Sequence, residues 1–218
     1  MNKYTFSVEN QTPWLIEIYN KVLPYKTDGY LVEIGVGHTI KGIDRELPEN
    51  LVNFTRGPSN TADLLDIGWS GIYIDPVEEY CKEAKLAHLN NLDRLKIVNI
   101  GASDKDGELQ LYLGDSFVEN SFGKQGYDWI GRKVKTQKTS DILEKHNCPK
   151  NIDIMSIDVE GFEVNVLLGL DFEKYIPHIL ICEIQPTPII EITKIIPSYY
   201  ELVGNDGLNA VWINSRNI

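Results

Sequence analysis

Residues 152 to 170 read IDIMSIDVEGFEVNVLLGL, where Asp158, Glu160 and Glu163 crowd around one glycine between two apolar runs. Glu183 ends the next apolar run, HILICEI. Two kinds of chemistry suit such acids. A carboxylate that is buried, or that faces a second acid, has its pKa raised and can take a proton from a hydroxyl. The same oxygens suit a hard divalent cation such as Mg²⁺ or Ca²⁺, which lowers the pKa of a hydroxyl bound to it. Asp158 and Glu160, on either side of a strand end, and Glu183 at the end of the following strand form the candidate catalytic set. Asp158 and Glu183 are the natural pair for a cation, although no residue is assigned to a metal. Folding offers a competing account, because an acid in the first turn of a helix meets the positive end of its dipole, worth about 0.3–1 kcal/mol. That account suits Glu163, just after Gly161. It suits Asp158 less well, since an acid at a buried strand end has a desolvation cost to offset.

Other strand ends carry further candidates. Glu33-Ile-Gly35-Val-Gly37 is a turn whose glycines let backbone approach a ligand, or simply serve the turn. It lacks the third glycine of a dinucleotide fingerprint, position 40 being Ile. Ile74-Asp75-Pro76 places an acid where it can accept both hydroxyls of a ribose, or cap the helix that follows. Asn99-Ile-Gly101-Ala102-Ser103-Asp104 is a small polar turn able to border an adenine ring. His38, directly after the glycine turn, is a base, a substrate contact or a hydrogen-bonded structural residue. Arg56 is a partner for a substrate or cofactor anion, or a solvated surface arginine.

The elements that position these residues are legible as apolar runs. YLVEI (30–34), GIYID (71–75), LKIVNI (95–100), IDIMSID (152–158) and HILICEI (178–184) are nearly unbroken, as expected of strands buried on both faces. Between them PVEEYCKEAKLAHL, FEVNVLLGL and PIIEITKII carry helical spacing and serve as crossovers. Alternation of strands and helices predicts a parallel sheet covered by helices, with ligands bound beyond the carboxyl ends of the strands where strand order reverses. ELQLYL (108–113) and RKVKTQ (132–137) read as strands of an added hairpin or insertion. YYELV and NAVWIN, joined by GNDGL, read as a terminal β-hairpin. A first helix starts at Thr12-Pro13 and ends at Pro24, so that residues 1–28 form an N-terminal helical cap. The connection after the first strand is long; residues 38–58 are a candidate active-site lid or a tolerated insertion. Within that connection only NTADLLDIG reads as a helix, with Ser59 or Asn60 as its cap.

Composition narrows the partners. With 218 residues, 42% of them hydrophobic, the chain reads as one domain spanning residues 1–218. Its net charge of −11 would repel a phosphate backbone or an acidic membrane surface, so no nucleic acid is expected. No apolar run approaches a membrane span, and the N-terminus has no apolar signal-peptide core. Cys81, Cys148 and Cys182 lack disulfide or zinc spacing, which together with these features predicts a cytoplasmic protein.

Taken jointly, an acid-x-G-x-G turn, an Asp after the next strand, a small polar turn after the third and then DVEGFEVNVLLG are far more specific than any one of them. With TSDIL upstream and ILICEIQ downstream, the chain from about residue 29 to 185 resembles the S-adenosylmethionine-dependent methyltransferases, and more narrowly the FkbM family. The resemblance implies a Rossmann-like, seven-stranded, mostly parallel sheet with helices on both faces, closed by a C-terminal antiparallel hairpin. It implies that Glu33, Gly35 and Gly37 line the methionine side of the cofactor, that Asp75 with Pro76 serves the ribose, and that Ala102 and Ser103 flank the adenine. The implied activity is O-methylation of a hydroxyl on a sugar, glycan or secondary metabolite. Two other readings stand beside it. A nicotinamide-dependent Rossmann oxidoreductase requires the missing third glycine and an acid about 20 residues after the turn, whereas Asp75 lies much further on. A catalytically silent Rossmann module requires that the cofactor residues be lost, and they are present.

Overall fold

The computed structural model describes residues 20, 22–24, 26–37, 39, 59–113, 120–122, 130–185 and 187–217. His38, Arg56 and almost all of the 38–58 segment lie outside the described residues, as does most of the expected N-terminal helix, of which residues 20 and 22 are helical.

The main sheet has seven strands, in the spatial order Tyr200–Asn205 (β10), Asn209–Asn214 (β11), Ile176–Glu183 (β9), Asn151–Ile157 (β8), Tyr30–Ile34 (β1), Ser70–Asp75 (β2) and Leu95–Asn99 (β3). Its parallel core consists of β1, β2, β3, β8 and β9. β10 and β11 are the expected hairpin, and β11 inserts antiparallel to β9. Sequential strands run outward from β1 through β2 to β3 on one side and from β8 to β9 on the other. Strand order therefore reverses between β1 and β8.

Apolar residues on successive positions of these strands face opposite sides, and each side is covered by different helices. Leu31, Ile154 and Ile179 pack with Leu64 and Leu65 of α1 (Ala62–Asp66) and Ala84 of α2 (Glu78–Ala87). On the other side, Val32, Ile34, Met155 and Ile157 pack with three further helices, α3 (Thr139–Lys145), α4 (Glu163–Leu168) and α5 (Ile189–Ile195). Trp69 and Trp212 are buried core residues. The hydroxyl of Ser59, one of the two expected caps of α1, accepts the N–H groups of Thr61 and Ala62 at 3.1 and 3.0 Å.

A second sheet of four strands, ordered β4-β7-β5-β6, is built from Gly101–Ser103, Ile130–Lys138, Gly107–Leu113 and Asn120–Phe122. It contains the expected pairing of 108–113 with 132–137, extended at both ends. It also changes one reading: Ala102 and Ser103 are not a turn but the short strand β4, paired with Gln137 and Lys138 of β7. Leu111 and Val134 pack on Val77 and Tyr80 at the start of α2, and Arg132 bridges Glu79 at 2.6 Å. The small sheet thus stands beside the carboxyl end of β2.

Candidate active site

The carboxyl ends of β1, β2, β8 and β9 converge at the strand-order reversal, the position where open α/β sheets bind ligands. Gly35 has φ +84°, and a Cβ there would fall 1.6 Å from the Asp158 carbonyl oxygen, so only glycine lets β1 exit against the end of β8. The Asp158 N–H in turn donates to the Ile34 carbonyl at 2.9 Å. Gly37, φ +58°, has no atom of the described residues within 4 Å of where a Cβ would lie.

Asp75 is buried, 4% exposed, and its carboxylate is already engaged. Oδ2 accepts the N–H groups of Val36 and Gly37 at 2.9 and 3.1 Å, and Oδ1 accepts that of Val77 at 2.7 Å. One side chain therefore shapes the glycine turn and caps the entry to α2; Pro76 lies in the bend before the first helical residue, Glu78. Both roles foreseen for this acid in the sequence draw on the same two oxygens.

Glu33 lies in register between Tyr73 of β2 and Ser156 of β8. It is 5% exposed and accepts hydrogen bonds from the hydroxyls of Thr61 and Ser59, while Asn60 donates to Ser156 at 3.1 Å. Burial raises the Glu33 carboxyl to about 7; the Thr61 and Ser59 hydroxyls oppose the rise, and the charge of Asp158 adds to it. This polar row anchors the residues that lead into α1. The sequence signalled Ser59 only as a helix cap and gave no sign of Thr61 or Ser156.

The three acids of the candidate catalytic set come together. Asp158, Glu160 and Glu183 each present a carboxylate oxygen within 4.8 Å of the others, and all three are partly exposed. Burial pushes Glu183 well above the ordinary carboxylate range, and the charges of Asp158, Glu160 and Glu163 push it further. Burial also raises Asp158, partly offset by its hydrogen bond with Glu183. Two acids this close do not both ionise readily, so the pair retains a proton near neutral pH. Glu160 adopts φ +53°, a conformation unusual for a residue with a side chain.

Glu163 proves to be more than a residue at a helix dipole. It is 0% exposed, Oε1 accepts the N–H groups of Val159 and Gly161 at 3.1 Å each, and Oε2 accepts the Thr187 hydroxyl. Nothing in the sequence around Thr187 announced this contact. Ala102 and Ser103 are 4% and 1% exposed, and the Thr139 hydroxyl donates to the Ser103 carbonyl at 3.3 Å. The Ala102 side chain packs in the core of the main sheet, and the Ser103 hydroxyl donates to Asp104 at 3.0 Å.

The model of the Methyltransferase FkbM domain matches residues 52–202, well over half of the chain. The protein belongs to the FkbM methyltransferase family. No curated protein gives a significant match. The matched stretch holds Asp75, Asp158, Glu160, Glu163 and Glu183, whereas Glu33, Gly35 and Gly37 precede it. Family membership makes S-adenosylmethionine the methyl donor to be expected in general. The FkbM fold here is the seven-stranded, mostly parallel sheet with its antiparallel hairpin. No helix among the described residues is long and apolar enough to cross a membrane.

Proposed function

We propose that this FkbM protein is an S-adenosylmethionine-dependent O-methyltransferase acting on a hydroxyl of a sugar, glycan or other secondary metabolite. The observation that carries the reading is the Asp158, Glu160 and Glu183 cluster at the strand-order reversal, with two of its members held above the ordinary carboxylate range. An alcohol must lose its proton as it becomes an ether, and a carboxylate with a raised pKa is a fitting acceptor. S-adenosylmethionine, when bound, supplies an electrophilic methyl group on a sulfonium centre. Among the described residues nothing lies within 4 Å of a Cβ position on Gly37, which suits a ligand lying against the turn. Asp75 holds that turn in shape and keeps its ribose role in this proposal. Glu33 acts from beneath, by anchoring Ser59 and Thr61. Ala102 and Ser103 supply wall rather than side-chain contacts to the adenine.

Most of the chain's own contribution is positioning: acceptor hydroxyl, proton acceptor and methyl donor are held in one crevice between β1 and β8. The family resemblance supports the sugar, glycan or metabolite class, and three buried free cysteines fit a cytoplasmic setting. Titration calorimetry with S-adenosylhomocysteine and with NAD tests the reading. Heat with the first and none with the second is expected; the reverse would install the nicotinamide alternative.

A second reading concerns a cation. The same three carboxylates offer hard oxygen donors close enough to share one Mg²⁺ or Ca²⁺, and the site would then activate the hydroxyl by lowering its pKa. Methyl transfer assayed after treatment with a chelator, with and without added Mg²⁺, separates the two readings. Full activity in the chelator leaves the proton-accepting role alone.

A further inference from the structure

Asp158 and Glu160 sit on the connection after β8 (158–162), Glu183 ends β9, and Thr187 lies on the connection that follows it. The parallel pairing of β8 with β9, Ile157 opposite Cys182, sets Asp158 beside Glu183, whereas Glu160 lies beyond the strand. One carboxylate braces the loop that carries it. Glu163 Oε1 takes the N–H groups on either side of Glu160, those of Val159 and Gly161, both at 3.1 Å. Its Oε2 takes the hydroxyl of Thr187, four residues beyond Glu183 and itself 5% exposed.

We propose that Glu163 and Thr187 form a clamp that sets the position of Glu160 relative to Asp158 and Glu183, making Glu163 a positioning residue of the site. The catalytic consequence rests on the O-methyltransferase reading. Glu163 is 0% exposed and so acts only through what it holds. Bracketing by two accepted N–H groups keeps Glu160 at φ +53°, a conformation that costs roughly 1–3 kcal/mol and persists only where its surroundings impose it. Released, the residue relaxes to negative φ, which swings its carboxylate away from Asp158 and Glu183. Gly35, pressed against the Asp158 carbonyl, fixes the loop from the opposite side. The clamp supplies the remaining restraint.

Amide hydrogen exchange read by NMR tests the clamp on the whole protein, with neither cofactor nor acceptor present. Glu163→Ala is expected to speed exchange at Val159 and Gly161 by about tenfold or more. Glu163→Gln, which keeps an acceptor for those N–H groups, restores most of the protection. Thr187→Val, a milder change should Glu163→Ala not fold, is expected to move the same loop signals. Unchanged protection at both amides in Glu163→Ala and Thr187→Val overturns the proposal.

Transfer of label from S-adenosylmethionine to a cell extract reads the consequence. Glu163→Ala should lose about 10- to 100-fold in transfer rate with little change in S-adenosylhomocysteine affinity, and Glu163→Gln should recover much of it. In a Glu160→Ala background the loss should largely vanish, because the group being positioned is gone. An undiminished loss in that background overturns the clamp as a positioning device. A wild-type protein that does not bind S-adenosylhomocysteine overturns the methyltransferase reading instead, and the exchange measurement still decides the clamp.

Discussion

Asp75 and Asp158 end the two strands that flank β1, and they meet opposite surroundings. Asp75 is met by three backbone N–H groups at 2.7–3.1 Å, so its negative charge is compensated where it lies. Asp158 faces Glu183 and Glu160, and its carboxyl is pushed up by burial. A compensated carboxylate is a structural crosslink, while one held among other acids stores affinity for a proton. Residue type and strand position are the same in both. What differs is the set of groups brought up against each from elsewhere in the chain.

Substitutions at each end sharpen or break this contrast. Asp158→Asn gives the largest expected effect: loss of the proposed proton acceptor should lower methyl transfer by about 10²–10⁴-fold, with S-adenosylhomocysteine affinity nearly unchanged by calorimetry. An equal loss in both would move Asp158 to the cofactor side. Asp75→Ala should do the reverse, leaving three backbone N–H groups, two of them buried, without their acceptor. A destabilisation of about 3 kcal/mol or more in urea denaturation is expected, with weaker S-adenosylhomocysteine binding.

Glu33 lies between the two cases, hydrogen-bonded yet raised to about 7 from 4.5. Its folded-state pKa lies above the unfolded value, so the stability it contributes is fully present below about pH 4.5 and is lost as pH rises through about 7. Glu33→Gln should flatten the fall in unfolding free energy across that window, read by urea denaturation at each pH, by an amount of order 3 kcal/mol or less. An unaltered pH profile would show that the Ser59 and Thr61 hydroxyls fully compensate the charge. Glu160→Gly is the smallest change. Relief of the positive φ should raise stability by about 1 kcal/mol while transfer falls, a split that distinguishes strain kept for function from strain without purpose.

Parts of this contrast were legible in advance. IDIMSID and HILICEI read as strands because both faces of a central strand are buried, which writes itself as an unbroken apolar run. Their terminal acids then had to lie at the carboxyl edge, and Asp158, Glu160 and Glu183 could be grouped before any coordinates. The ambiguity of Asp75 was visible too, since Asp-Pro before a helix is also a cap. Three things were hidden. Ala102 and Ser103 read as a turn because three small residues carry no strand pattern; they become β4 only by pairing with β7, more than thirty residues further on. The Glu33 contacts with Ser59 and Thr61 join segments separated by 26 and 28 positions, across the long connection after β1. Thr187, in a proline-flanked loop, carries no mark of its bond to Glu163.

The sequence by itself determined the elements and their acidic ends, because strand burial, helical spacing and turn chemistry are local and leave periodic traces in the chain. It also carried the DVEGFEVNVLLG spacing that marks the family. Only the tertiary structure decided which carboxylate is neutralised by backbone N–H groups and which is left facing other acids. Ionisation depends on the few groups within about 4–6 Å, and those arrive from strands and loops far away in sequence.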